Sequence, residues 1–413
     1  MISRLFALMI AFLGILSTTA GAAVVVFTID GSTHEATTAR LSEDGASLIL
    51  ASPTAGGESG TQQLPVDGIL AIHFPSRPLR EAGNASEVVL ANGDIIAGTI
   101  ESGDEFDLRI LSEVGPLKVP IDRVRSIRFP AMREVTGLRS EMDAGSDEAD
   151  VLLRRTGKGL DIVEGTLISF GPNGLVFSGP VGNYPFRYNE IAALVLMDTG
   201  ADDLPEIPAR HVTLRLRDRT RLTGTIRAMD DERVRIETAL VGTLDIPSVR
   251  VSSIGFRSES FVHLSDLEPM EVRETPYFGD DSGFLYPYRR DVTVSGAPLV
   301  MAGRRYEKGL GVHSRSRVTF DRPEGFARFH ATVGVSDEVT SLPARGRVVF
   351  RVLLDGKAVF ETPVVQAGSE PITIPGVELG NAARLTLELD FGDDSDAGDR
   401  GIWAHAVLVR DDS

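Results

Sequence analysis

Residues 212–256 read VTLRLRDRTRLTGTIRAMDDERVRIETALVGTLDIPSVRVSSIGF, and their alternation decides the fold. Apolar and polar side chains exchange places at every step in Val234-Arg235-Ile236, the period of a half-buried strand and not of a helix. The strand-like opening Val212-Thr213-Leu214 is followed by a polar turn, by Gly224-Thr225-Ile226, and by Leu244-Asp245-Ile246-Pro247 running to Phe256. The same order recurs upstream. Val88-Val89-Leu90 leads to Gly98-Thr99-Ile100 and then to Leu117-Lys118-Val119-Pro120 and Phe129. Val151-Leu152-Leu153 leads to Gly165-Thr166-Leu167 and closes with Phe186-Arg187-Tyr188 and Leu196. Leu64-Pro65-Val66 running to Phe74 marks one more copy, the first in the chain and the most divergent, without the Gly-Thr step and with a Gly/Ser-rich insertion at Gly56–Gly60. Self-similarity at this spacing signals a repeat architecture, and about five short strands per copy predict small β-barrels at 24–76, 86–130, 150–198 and 210–257. The Gly-Thr-apolar pattern weakly resembles SH3-like and Sm-like barrels. Glu141–Asp150 and Asp198–Pro208 read as linkers.

Composition narrows the function. The chain has 413 residues, with 42 Lys+Arg against 59 Asp+Glu, a formal charge of −17. Several folded units are expected at this length. The acidic balance repels phosphate backbones and anionic membranes, which argues against sequence-independent nucleic-acid binding. Cys 0 removes disulfides, thiolate metal sites and thiol nucleophiles together. At the N-terminus Arg4, the apolar run Leu5–Leu16 and Ala20-Gly21-Ala22 have the form of a signal peptide over 1–22, so a secreted or periplasmic protein is expected. The run is too short to span a bilayer, which takes about 20 residues. Neither His-Glu-x-x-His nor Gly-x-Ser-x-Gly occurs, and a non-enzymatic role is expected.

From about Phe261 the repeat gives way to another β-rich pattern, with apolar runs at Val348–Leu354, Ala358–Phe360 and Leu385–Leu389. These argue for a β-sandwich over 262–411 able to fold alone. Leu264-Ser265-Asp266-Leu267, Tyr306 with Lys308-Gly309-Leu310-Gly311-Val312-His313, Val333-Gly334-Val335 with Asp337, Val349-Phe350 with Val352, Asp355-Gly356-Lys357, and Asp399 with Trp403 and Ala406 follow one another in order. In these motifs the segment resembles the NPCBM family, the "novel putative carbohydrate-binding module", a galactose-binding-like (jelly-roll type) β-sandwich. The resemblance implies non-catalytic recognition of a glycan or polysaccharide, often galactose-type, by loops at one end of the sandwich. It points to His313, Asp337, Trp403 and His405 as carbohydrate-binding residues. The chain departs from the family at Ile402 and His405, where acidic residues are usual.

The residues leave alternatives open. Trp403 is the only Trp and either packs on a sugar ring or plugs the core. His313 either hydrogen-bonds a sugar hydroxyl or caps a strand end. The acidic run Asp390–Asp399 either contributes Asp393 and Asp399 to a Ca²⁺ site or is a solvated loop. Arg215, Arg217, Arg219 and Arg221 form either a basic stripe for an anionic partner or, as the expected reading, a solvated hairpin. The function expected is sugar binding by the sandwich, with the barrels as spacers or interaction modules. The alternative is a cell-envelope structural or assembly protein whose sandwich makes protein contacts.

Overall fold

The computed structural model describes residues 23–53, 59–81, 83–130, 148–156, 159–197, 204–279, 286–393 and 395–410. The signal-peptide reading, most of the Gly56–Gly60 insertion and most of the first linker fall outside them. Secondary structure among the described residues is strand with short 3-10 turns, and no helix there is long and apolar enough to cross a membrane.

Each repeat is a four-strand meander whose fifth strand returns to the first. In the fourth copy His211–Leu216, Arg221–Met229, Arg233–Thr238 and Gly242–Pro247 pair in sequence, and Val251–Arg257 pairs back with His211–Leu216. The second copy, from Ser86–Leu90 to Val124–Arg128, and the third, from Asp150–Thr156 to Ile191–Val195, have the same ladders. The repeated Pro has a local cause. Pro65, Pro120 and Pro247 each precede a 3-10 turn, where the fixed φ of proline suits the entry. The buried Phe74, Phe129 and Phe256 lie just past the returning strand or at its end, with buried Leu196 in the third copy.

The repeated Gly has a steric cause. A Cβ on Gly98, Gly165 or Gly224 would stand 2.5, 2.0 or 2.2 Å from the carbonyl oxygen of Leu111, Ser178 or Glu237 on the next strand. Just beyond it the long second strand carries a β-bulge in all three copies, and a bulge bends and twists a strand so that a sheet can curl. The first copy has Ala36 at the matching register position, opposite Val24 as Gly224 is opposite Val212. There the second strand is split into Thr33–Ala36 and Thr38–Leu41, and the latter joins Ser47–Pro53 and Ser59–Pro65 in a separate three-stranded sheet.

The repeats are not beads on a string. Returning strands pair with each other, Val124–Arg128 with Ile191–Val195 and Ile69–His73 with Val251–Arg257, and Arg221–Met229 meets Ile95–Gly103, so strands of all four copies form one 18-stranded sheet. The arginine stripe takes part in this joining, and the solvated hairpin is corrected accordingly. Arg217 and Arg219 donate to the carbonyls of Pro78 and Arg80, Arg221 donates to that of Gly93, and Arg215 pairs with Glu307 of the sandwich at 2.9 Å.

The C-terminal part is a sandwich of two antiparallel six-stranded sheets. One contains Arg289–Arg290, Gly309–His313, Arg400–Arg410, Phe326–Val335 and Ile372–Glu378, with Phe261–His263 also on Arg400–Arg410. The other contains Glu271–Glu274, Ser316–Asp321, Arg384–Phe391, Arg347–Leu354 and Lys357–Glu361, with Val365–Gln366 also on Arg347–Leu354. The last strand is buried on both faces. Trp403, Ala406 and Leu408 enter the sandwich core beside Phe329 and Phe350, while Ile402, Ala404, Val407 and Val409 join the apolar cluster of the repeats. The phase changes at His405, whose φ of 46° forms a bulge that places two residues opposite one. The first sheet therefore faces the repeats and the second faces outward.

Candidate functional site

The strand Gly309–His313 delivers His313 to one end of the sandwich, where its ring stacks on Tyr286 with centroids 4.5 Å apart and planes at 23°. Tyr286 keeps 41% of its surface exposed. Burial lowers the His313 pKa, and the Ser314 carbonyl and the Asp396 carboxylate only partly oppose this, so the imidazole is neutral at pH 7. Nδ1 lies 3.0 Å from the Ser314 carbonyl oxygen, which can only accept, and the proton is therefore on Nδ1. Nε2 is left with a lone pair that can accept from a hydroxyl.

Asp396 links this pair to a second aromatic group. Its carboxylate accepts the Tyr277 backbone N–H at 3.4 Å. Tyr277 stands edge-on to Phe391 at 5.1 Å and to Phe278, which is 78% exposed. Across the ladder from His313 lies Arg400, whose guanidinium is 3.3 Å from Glu338. Exposed rings, a neutral imidazole and planar charged groups thus converge on one end of the sandwich. Such a set can pack against the C–H face of a sugar and bond its hydroxyls.

The other expected residues lie elsewhere. Trp403 is 0% exposed and stands edge-on to Phe350 in the core, which leaves no ring face for a sugar. His405 is buried against Phe27 of the first repeat, centroids 4.9 Å apart. Asp337 accepts the backbone N–H groups of Ala302 and Gly303, at 2.9 and 2.7 Å, and fixes a hairpin turn. The acidic run is paired within the sandwich. Asp393 forms a two-point pair with the Arg347 guanidinium, and Asp399 is buried, accepting from Ser314 Oγ and from the Arg347 backbone N–H at 2.8 Å. Asp390 pairs with Arg315 and Arg351. Arginines thus offset the charge of the run, and among the described residues no three His, Asp or Glu side chains are placed to hold a metal ion. Tyr286, Asp396 and Arg400 were missed. The closely spaced aromatics Tyr277, Phe278 and Tyr286 were the available signal.

Residues 261–409 match the NPCBM/NEW2 domain, and this part of the chain is an NPCBM domain. Among curated proteins the chain is 31% identical over 114 residues to a protein of Renibacterium salmoninarum described as "Putative endo-alpha-N-acetylgalactosaminidase". The match takes in 28% of this chain and 7% of that protein, so the chain spans a small fraction of its relative's length. Among solved structures, CBM51 from Clostridium perfringens GH95, in complex with methyl-galactose, is 24% identical with a TM-score of 0.31, covering 36% of this chain and 99% of that one. The CBM51-2 and INT domains of Clostridium perfringens ZmpB, with GlcNAc, are 21% identical with a TM-score of 0.32, covering 43% and 36%.

Proposed function

We propose that this is an exported, non-catalytic protein whose NPCBM domain recognises a galactose-type sugar at the Tyr286–His313 end of the sandwich. One observation carries the reading: a half-exposed tyrosine ring stacked on a neutral histidine whose free nitrogen accepts hydrogen bonds. The carboxylates beside it are held by neighbours, Asp396 by the Tyr277 N–H and Glu338 by Arg400, which suits binding better than acid–base chemistry. The repeats serve as the platform on which the sandwich is mounted. The residues that favoured the alternative, a sandwich serving protein contacts, are Ile402 and His405, and both pack against the chain's own repeats.

A glycan array with the full chain, followed by calorimetry on the best ligand, tests the proposal. Tyr286→Ala and His313→Ala are each expected to weaken binding at least tenfold with an unchanged melting temperature. An array without a sugar ligand, or variants that bind like the parent, would reject it.

A further inference from the structure

The outer sheet carries a second feature that the loop-end site does not use. Two rows of side chains cross it in register. The row Glu271, Thr319, Thr386, Leu353 is short at its centre, where the two threonine hydroxyls bond each other at 2.9 Å. The neighbouring row Arg273, Arg317, Glu388, Arg351, Glu361 is long and charged. The step between the rows, closed on the far side by the turns at Asp355-Gly356 and Ala383-Arg384, makes a groove of about 550 Å³. That falls in the ordinary range of ligand sites, about 300–1,000 Å³. A smaller hollow of about 150 Å³, lined by Arg273, Thr275, Arg315 and Arg317, adjoins it.

Of the carboxylates at the groove, Asp355 and Glu388 are engaged, while Glu271, 52% exposed, stays open beside Arg273. Asp355 turns its carboxylate to the backbone N–H groups of Ala383 and Arg384, at 3.1 and 3.0 Å. Glu388, with 3% of its side chain exposed, lies beneath Arg317 and Arg351. By contrast Arg273 approaches Glu271 only to 3.5 Å and Arg384 approaches Asp321 only to 3.8 Å, with 67% and 58% of their side chains in water. Exposed pairs this loose contribute little and are readily exchanged for a better partner. A guanidinium on each lip offers two parallel N–H donors, the geometry that suits a carboxylate or sulfate. Leu353 and Met270 supply apolar surface for a sugar's C–H groups. We infer that this groove binds an acidic saccharide, one bearing carboxylate or sulfate groups. The net charge of −17 repels polyanions at long range, so recognition is confined to a short segment matched to the groove.

Calorimetry with the full chain, in low and in physiological salt, would use an oligogalacturonate as carboxylate source, a heparin oligosaccharide as sulfate source, a neutral galacto-oligosaccharide and a poly-glutamate peptide. At least one acidic oligosaccharide is expected to bind, more weakly at higher salt, and the one that binds identifies the group recognised. Arg273→Gln/Arg384→Gln is expected to weaken that binding at least tenfold, with melting temperature and neutral-sugar binding unchanged. Tyr286→Ala is expected to leave acidic binding intact, which separates failure here from failure of the loop-end site. Absence of binding by both acidic oligosaccharides, full affinity in the double variant, or equal affinity for poly-glutamate would overturn the inference.

Discussion

The two sheets of the sandwich share one core and differ in what covers their other face. The sheet holding Arg400–Arg410 turns Ile402, Ala404, Val407 and Val409 into the cluster that contains Phe27, Ile72 and Ile254 of the repeats. The sheet holding Arg384–Phe391 turns outward a ladder of Arg317, Glu388, Arg351 and Glu361. One face is closed by hydrophobic burial and the other is kept open by charge, so the outer face and the loop end are the surfaces left free for the proposed recognition. Cutting the chain near Phe261 would break the comparison most severely, because it exposes the apolar face. The excised fragment 261–413 is expected to self-associate or to melt well below the full chain in calorimetry and light scattering. A monomeric fragment with the parent melting temperature would show that the repeats contribute nothing to the sandwich.

Inside the shared core the two sheets should respond alike. Trp403→Ala in the full chain is expected to cost about 3–5 kcal/mol in denaturant unfolding, the usual range for removing a buried large aromatic. Sugar binding should be unchanged wherever the variant stays folded. A small loss of stability with loss of binding would return Trp403 to the recognition surface.

The seam between repeats and sandwich adds an ion pair to its apolar contacts. Burial would raise the Glu307 carboxyl, but Arg215 and Arg305, at 2.9 and 3.1 Å, outweigh it and hold the group below its ordinary value. Glu307→Gln is expected to cost about 3 kcal/mol, the lower end for breaking a buried pair, since both guanidiniums keep contact with water. Unfolding curves of this variant beside Arg227→Gln, an exposed pair in the fourth repeat, would show the contrast.

Much of this organisation was legible in the sequence, for reasons the structure supplies. The Gly-Thr step and the Pro-to-Phe spacing were visible because each answers a fixed steric need: Gly224 meets a carbonyl, and Pro247 opens a tight turn. His313 was legible because it ends a strand whose glycines carry the family pattern. Trp403 was ambiguous because the bulge at His405 shifts the alternation of the last strand, and no periodicity reveals which face an interrupted strand turns inward. The role of the acidic run was illegible because its partners, Ser314, Arg315, Arg347 and Arg351, arrive from strands far away in the chain. The pairing of the repeats through their returning strands is likewise a contact between copies that no single copy specifies.

Acid should weaken the seam before it weakens the outer face. Burial lowers the pKa of His73 to about 4 and of His405 to about 3, both packed on Phe27, and it lowers that of buried His263 as well. These rings are neutral when folded and take up a proton near 6.5 when unfolded. Their contribution is complete above about pH 6.5 and is lost as pH falls toward 4, by up to about 1.4 kcal/mol per pH unit for each histidine. Unfolding measured at pH 7, 6 and 5, above most carboxylate titration, should show this decline, and His73→Phe should make it shallower by one histidine's share. A flat profile in the parent protein would mean that the seam opens to water.

The smallest effect is expected on the outer face, where charge is shared among several partners. Arg351 reaches Glu361, Glu388 and Asp390 at once, the latter two at 2.7 and 2.6 Å, but each of those two keeps a second arginine, Arg317 for Glu388 and Arg315 for Asp390. Arg351→Ala should therefore cost only about 1 kcal/mol, and less at high salt, as for a surface network with a remaining counterion. The reason is redundancy and not weakness. Glu388 is nearly sealed from water, and removing Arg317 as well would leave its carboxylate without either guanidinium. The double variant should then lose more than the sum of the two single losses, and a double-mutant cycle reads that coupling directly. Additive losses would mean that each arginine acts alone and that Glu388 is hydrated in solution, which would remove the difference between an open charged face and a truly shared network.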